Sequence, residues 1–148
     1  MRLKLTIDPI PISSWGISLA SKLGKKKWDE LRHKVYFEAD YACSACGQVN
    51  EELHCHEQWV FKKTSRTEGI QSLAGFVCLC KTCHNCAHLG RSMEVYDKEY
   101  VEKLMRHMEK VNGISRSQLL KYIYKIRGLN YKRAQVFWRI KIGNMEII

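Results

Sequence analysis

Two Cys-x-x-Cys pairs, Cys43-Ser44-Ala45-Cys46 and Cys80-Lys81-Thr82-Cys83, constrain this chain more than any other feature. Two residues between paired cysteines let one tight turn present both sulfurs to a single ion. Four thiolates at about 2.3 Å then close a tetrahedral zinc shell. The 33 residues between the pairs exceed what a simple zinc ribbon needs, so the insert must hold structure of its own. Two variant shells stand beside the four-thiol one, because Cys83 and Cys86 repeat the spacing and His84 offers an imidazole next to the second pair. Cys55 and Cys78 fall in strand-like runs and read as small buried hydrophobes. Seven cysteines, an odd and clustered set, suit metal ligation in a reducing compartment better than a disulfide framework. A thiol-transfer enzyme is disfavoured, since the pairs lie far apart and lack a βαβ context. Met1 to Ile10 is charged without a long apolar run, and no segment nears transmembrane length. The expectation is a cytoplasmic protein without a membrane partner.

Four of the six histidines crowd the same region: His54 and His56 in the insert, His84 and His88 just after the second pair. Spaced i, i+4, His84 and His88 share one face of a helix and can meet one metal. On an alternating strand His54 and His56 share a face, with Cys55 opposite. Capping or core hydrogen bonds are the competing use of a single histidine; four beside a zinc knuckle favour ligation.

The rest of the chain reads as α+β, with a lead-in over residues 1–40, a metal-bound core over 41–92 and a basic, mainly helical region over 93–148. Pro9 and Pro11 sit in a loop or short strand, followed by a short helix begun by Ser13 or Ser14. Residues 25–40 carry Trp28, Leu31, Val35 and Phe37 at helical spacing. Residues 41–61 read as a knuckle and a hairpin strand, 62–72 as a polar loop, and 73–79 as strand or turn. A helix is expected within 80–92 and another over 94–111. Ser115 with Gln118 forms a capping box for a helix to about Arg127. Val136, Trp138, Ile140 and Ile142 then alternate with Phe137, Arg139 and Lys141 as a half-buried strand does.

The net charge is +10, and from residue 101 onward eleven Lys or Arg face three acids. Such a balance favours polyanion partners through counterion release. Lys121, Lys125, Lys132 and Arg133 are interleaved with Tyr122, Tyr124 and Tyr131, as suits a nucleic-acid backbone. A tail that packs its tyrosines with solvated lysines between them fits the pattern equally well. Lys62, Lys63 and Arg66 add a basic loop near the histidines, and Arg91 follows His88 and Gly90.

Between Trp28 and Arg91 the chain resembles the HNH endonucleases, the ββα-metal nucleases. The likeness rests on His54-Cys55-His56-Glu57-Gln58-Trp59, on Leu79-Cys80-Lys81-Thr82-Cys83-His84 and on His88-Leu89-Gly90-Arg91. It implies a treble-clef, ββα-metal fold built on a structural Zn²⁺, with flanking helices and a C-terminal basic arm. It also implies a catalytic divalent cation (Mg²⁺, Mn²⁺, Ni²⁺ or Zn²⁺) and hydrolysis of DNA phosphodiester bonds. Laid over the family signature, His56, His84 and His88 take the ligand places and Glu57 the place of the base, with His56 at the reaction centre beside it and His54 as second choice for the base. Two departures stand out: the base place holds Glu57 in place of histidine, and the asparagine expected before the second knuckle is Gly75. Loss of that asparagine supports the alternative, a catalytically degenerate zinc module that binds nucleic acid or a protein partner.

Overall fold

The computed structural model describes residues 2–11, 19–143 and 145–147, the last three as backbone only. The expected helix start at Ser13 or Ser14, and Trp15, lie outside the described residues. The fold is α+β: six helices and a four-stranded sheet among the described residues.

Its centre is a long hairpin. β1 (Leu53–Lys63) runs antiparallel to β2 (Glu68–Cys80), with Leu53 opposite Cys80 and Lys63 opposite Gly69. The polar stretch 62–72, expected as a loop, is mostly strand; only residues 64–67 turn. The ladder overrides the polarity there, because each paired N–H and C=O is satisfied whatever the side chain. The turn closes with Thr64 N–H donating to the Glu68 carbonyl at 3.0 Å and Ser65 Oγ accepting from Glu68 N–H at 3.1 Å. Gln58 pairs with Gly75 but Trp59 with Leu73, so Ala74 is the extra residue of a bulge.

Each face of the hairpin is covered by different elements. On the Cys55 face lies α2 (Lys25–Glu38), preceded by α1 (Leu19–Leu23). Tyr36 anchors α2: it is buried with Cys55 and Cys78, beside Trp28, Val35 and Phe76, and its hydroxyl donates to the Leu53 carbonyl at 3.1 Å. Phe37, expected on the apolar stripe, is 68% exposed, since the helical face that meets the sheet passes through Tyr36. On the opposite face, α3 (Lys81–Ala87), α4 (Leu89–Val95), α5 (Lys98–Asn112) and α6 (Arg116–Ala134) enclose the main core. Leu5, Ile7, Leu79, Leu89, Leu104, Met108 and Leu119 fill it.

The helices start where local chemistry dictates. Asp97 caps α5 by accepting from Tyr100 N–H, so the helix begins there and not at residue 94. Gly113, at φ +62°, closes it in the left-handed conformation a C-terminal cap requires. The Ser115–Gln118 capping box opens α6, which continues past Arg127 to Ala134. β3 (Phe137–Ile142) then joins β2 in parallel, and β4 (Met145–Ile147) pairs antiparallel with β3. The C-terminal region is therefore no detached arm: Leu119 and Ile123 lie in the core and β3 extends the sheet. Residues 5 and 7 of the lead-in lie in the same core.

Candidate metal centres

The two cysteine pairs meet at the base of the hairpin. The first knuckle turns through Gly47 at φ +79°, where Gly47 N–H donates to the Cys43 carbonyl at 2.9 Å. Ser44 N–H donates to the Cys78 carbonyl, which ties the knuckle to β2. The second pair begins α3: Cys80 is its N-cap, and its sulfur accepts from Cys83 N–H at 3.4 Å. The four sulfurs of Cys43, Cys46, Cys80 and Cys83 lie within 4.8 Å of one another. Cys46 Sγ and Cys80 Sγ stand 3.7 Å apart. The edge of a tetrahedron with ~2.3 Å zinc–sulfur bonds is about 3.8 Å, whereas a disulfide needs about 2.05 Å. The spacing is thus that of co-ligands. The cluster can hold a structural metal such as zinc.

Its protonation fits that use. Cys43 is held well below the ordinary thiol range, chiefly by the hydrogen bond it takes from Cys83. The same bond pushes Cys83 up, and burial pushes Cys80 up. A thiolate is stable at one member at the expense of the others; a dication removes that conflict by accepting all four sulfurs. Cys86, the alternative ligand, donates to the Leu104 carbonyl at 3.5 Å in the core, and burial raises its thiol. His107, not among the residues expected at a site, places Nε2 3.2 Å from Cys83 Sγ. It lies on α5, 24 residues beyond Cys83, and no local spacing marks it.

The histidines form a second cluster on the adjoining face of the hairpin. Ring centroids lie 4.7 Å apart for His84 and His88, 4.8 Å for His56 and His88, 5.2 Å for His56 and His84, and 4.8 Å for His54 stacked on His84. Ring nitrogens of His56, His84 and His88 close to within 4.8 Å of one another. Burial, with the neighbouring imidazoles, pulls His84 down to about 2 and His88 to about 4; burial lowers His54 as well. Neutral imidazoles present lone pairs, the form a metal takes. His56 is 4% exposed, and its Nδ1 is buried without a hydrogen-bond partner. His54 Nε2 is likewise unpartnered and sits 3.5 Å from a Glu52 carboxylate oxygen. His56 with its orphaned Nδ1, His84 and His88 thus form a three-imidazole group that could hold a metal ion.

His84 therefore belongs to this second cluster and not to the cysteine shell. Comparison with family models, curated proteins and solved structures finds no match for this chain. What the site can do thus rests on its own geometry.

Glu57 stands apart from the histidines. Strand alternation turns it to the α2 face, where its carboxylate accepts from Trp59 Nε1 at 3.2 Å and burial raises it. Gly75 faces Gln58, and a Cβ built on it would meet only Gln58 Oε1, at 3.5 Å. Arg91 is exposed one turn beyond His88 and contributes to the lowering of both His84 and His88. Lys62, Lys63 and Arg66 are exposed at the hairpin tip. The tip is not beside the histidines: at ~3.3 Å per residue, Lys62 lies roughly 20 Å along the strand from His56.

On α6, Lys121, Lys125 and Lys132 are exposed with Tyr124 (81%) and Tyr131 (71%), whereas Tyr122 turns inward. Arg133 is occupied within the fold and not free for a phosphate. Its Nη1 donates to the Pro9 carbonyl at 2.7 Å, and its guanidinium lies 4.0 Å over the Phe61 ring. No helix among the described residues is long and apolar enough to cross a membrane.

Proposed function

We propose that this protein is a metal-dependent endonuclease of the HNH type that hydrolyses DNA phosphodiester bonds. The observation that carries the reading is the convergence of buried His56 with half-buried His84 and His88, strand against helix, into one set of ring nitrogens. A knuckle, a hairpin and a helix follow one another around the cysteine cluster, the order of a treble clef. The net charge of +10 and the exposed lysines of α6 suit a polyanionic substrate.

A divalent ion held by His56, His84 and His88 would supply charge stabilisation at the scissile phosphate and the leaving 3′ oxygen. The chain's own groups divide the remaining work. Glu57 faces away, so the base role passes to His54, whose neutral, unpartnered Nε2 is free to take a proton from water. Arg91 meets a substrate phosphate beside the cluster. The lysines of α6 hold backbone phosphates without reading sequence.

Nicking of supercoiled plasmid tests the reading, with Mg²⁺, Mn²⁺, Ni²⁺ or Zn²⁺ added and with His88→Ala as control. Metal-dependent cleavage by the parent, lost by at least ~100-fold in the variant, supports it. Absence of cleavage with every metal, from folded zinc-loaded protein, overturns it. The second reading, a zinc module that binds nucleic acid without cutting it, is favoured by one observation: Gly75 puts no side chain on the histidine face where the family has asparagine. A Gly75→Asn variant that cuts where the parent only binds would mark the parent as a degenerate member.

A further inference from the structure

The histidine centre includes a residue from outside the motif region. Asp8 Oδ2 hydrogen-bonds His56 Nε2, and its backbone N–H donates to the Ala87 carbonyl at the end of α3 at 2.9 Å. A carboxylate only accepts, so His56 Nε2 carries the proton, and in the neutral ring Nδ1 presents the lone pair. That Nδ1 is the buried atom left without a partner. Asp8 itself lies outside the group of ligand atoms that close to within 4.8 Å, which consists of His56, His84 and His88.

The irregular segment bearing Asp8 is clamped on both sides. Asn112 Oδ1 accepts from Lys4 and Leu5 N–H at 2.9 Å, and its Nδ2 donates to the Leu5 carbonyl at 2.8 Å. Ile7 N–H donates to the Tyr122 hydroxyl at 2.9 Å, and Arg133 holds the Pro9 carbonyl. Leu5 and Ile7 are buried in the core between these clamps. Three residues of α5 and α6 thus fix residues 4–9 in one register. A cavity of about 120 Å³ lined by Lys4, Thr6, Asp8, Ser44, His56 and Gln58 flanks the pair.

We propose that Asp8 is the positioning residue of the histidine centre: its carboxylate fixes the Nε2–H tautomer of His56 so that Nδ1 faces the ion. This rests on the metal centre proposed above and adds the group that orients it. Carboxylate partners of ligating histidines typically contribute 10–100-fold to metal affinity. The long helices acquire a role in the same stroke, since Asn112, Tyr122 and Arg133 hold Asp8 where the hairpin presents His56.

Co²⁺ binding by the full chain, with zinc already in the cysteine cluster, tests the proposal calorimetrically. The parent should take up one Co²⁺ beyond that zinc, and Asp8→Asn should bind it roughly 10–100-fold more weakly with zinc content and melting curve unchanged. Long-range proton–nitrogen spectra of the parent supply a readout that needs no variant: His56 should show a protonated Nε2, and Nδ1 should shift when Zn²⁺ is added to the second site. Co²⁺ binding by Asp8→Asn at the parent's affinity, or a proton on Nδ1, overturns the role of Asp8 and leaves the metal centre standing. No uptake beyond the cysteine zinc by the parent overturns both.

Discussion

At the residue scale the cysteines and the histidines solve opposite electrostatic problems. Among the thiols Cys43 is held low and Cys83 pushed up by one shared hydrogen bond, whereas His84 and His88 are kept neutral chiefly by burial. Structural zinc sites are worth ~10–16 kcal/mol in small domains, comparable to the whole stability of a domain this size. Cys43→Ser should therefore release zinc and abolish the cooperative thermal transition; a folded, zinc-loaded variant by circular dichroism and metal analysis would contradict the four-thiol site. The histidines make stability depend on pH without any second ion. An unfolded histidine binds a proton near pH 6.5, but folded His88 resists until about 4. Within that window the unfolded chain holds more protons. Stability is then full above about pH 6.5 and falls as acid is added, by up to ~1.4 kcal/mol per pH unit for each such site. Urea unfolding at pH 7, 6 and 5 should show a shallower decline for His88→Asn than for the parent. Equal slopes would mean that folded His88 protonates normally.

At the element scale the hairpin does most of the placing. Alternation along β1 sends His54 and His56 to the helical face and Cys55, Glu57 and Trp59 to the α2 face, so one strand serves a histidine cluster and a core together. The far half of the hairpin is held by β3. Gly69 lies opposite Trp138, and a Cβ there would sit 2.3 Å from Trp138 Cζ3 and 2.9 Å from the Lys62 carbonyl. Trp138 has little room to move, as it packs edge-on against Phe61 and its Nε1 donates to the Arg133 carbonyl at 2.8 Å. Gly69→Ala should cost about 1–3 kcal/mol, the usual penalty of overpacking, read as a lower urea midpoint. An unchanged midpoint would show that β3 shifts freely along β2. The capping box at Ser115 and the cap at Asp97 were legible because each needs only a side chain three residues from its partner.

At the scale of the whole molecule, charge and site are distributed over one body. Arg91, the hairpin tip and α6 offer cations at several separated places, and under the proposed function a duplex is long enough to touch more than one of them. Replacing Lys121, Lys125 and Lys132 with alanine should weaken DNA binding uniformly across sequences. It should also reduce the slope of log affinity against log salt by about 3, close to one unit for each phosphate no longer neutralised. A slope equal to the parent's would move the interface off α6. The same helix reaches the histidine centre through Tyr122 and Arg133, which clamp the segment carrying Asp8. Residues of α6 thus divide into an exposed basic face and a buried face that supports the site.

What the sequence determined by itself was local: the four cysteines at metal spacing, the His84–His88 pair one helical turn apart, the alternation of His54 and His56, and the caps. Each depends on residues within a few positions, where spacing translates directly into geometry. The tertiary structure decided what lies beyond that range. It moved Lys62 and Lys63 away from the histidines, engaged Arg133 with Pro9 and Phe61, and brought Asp8 and His107 to the two clusters. Those interactions join residues up to 124 positions apart, and they form only because burying a shared core holds distant segments in one register.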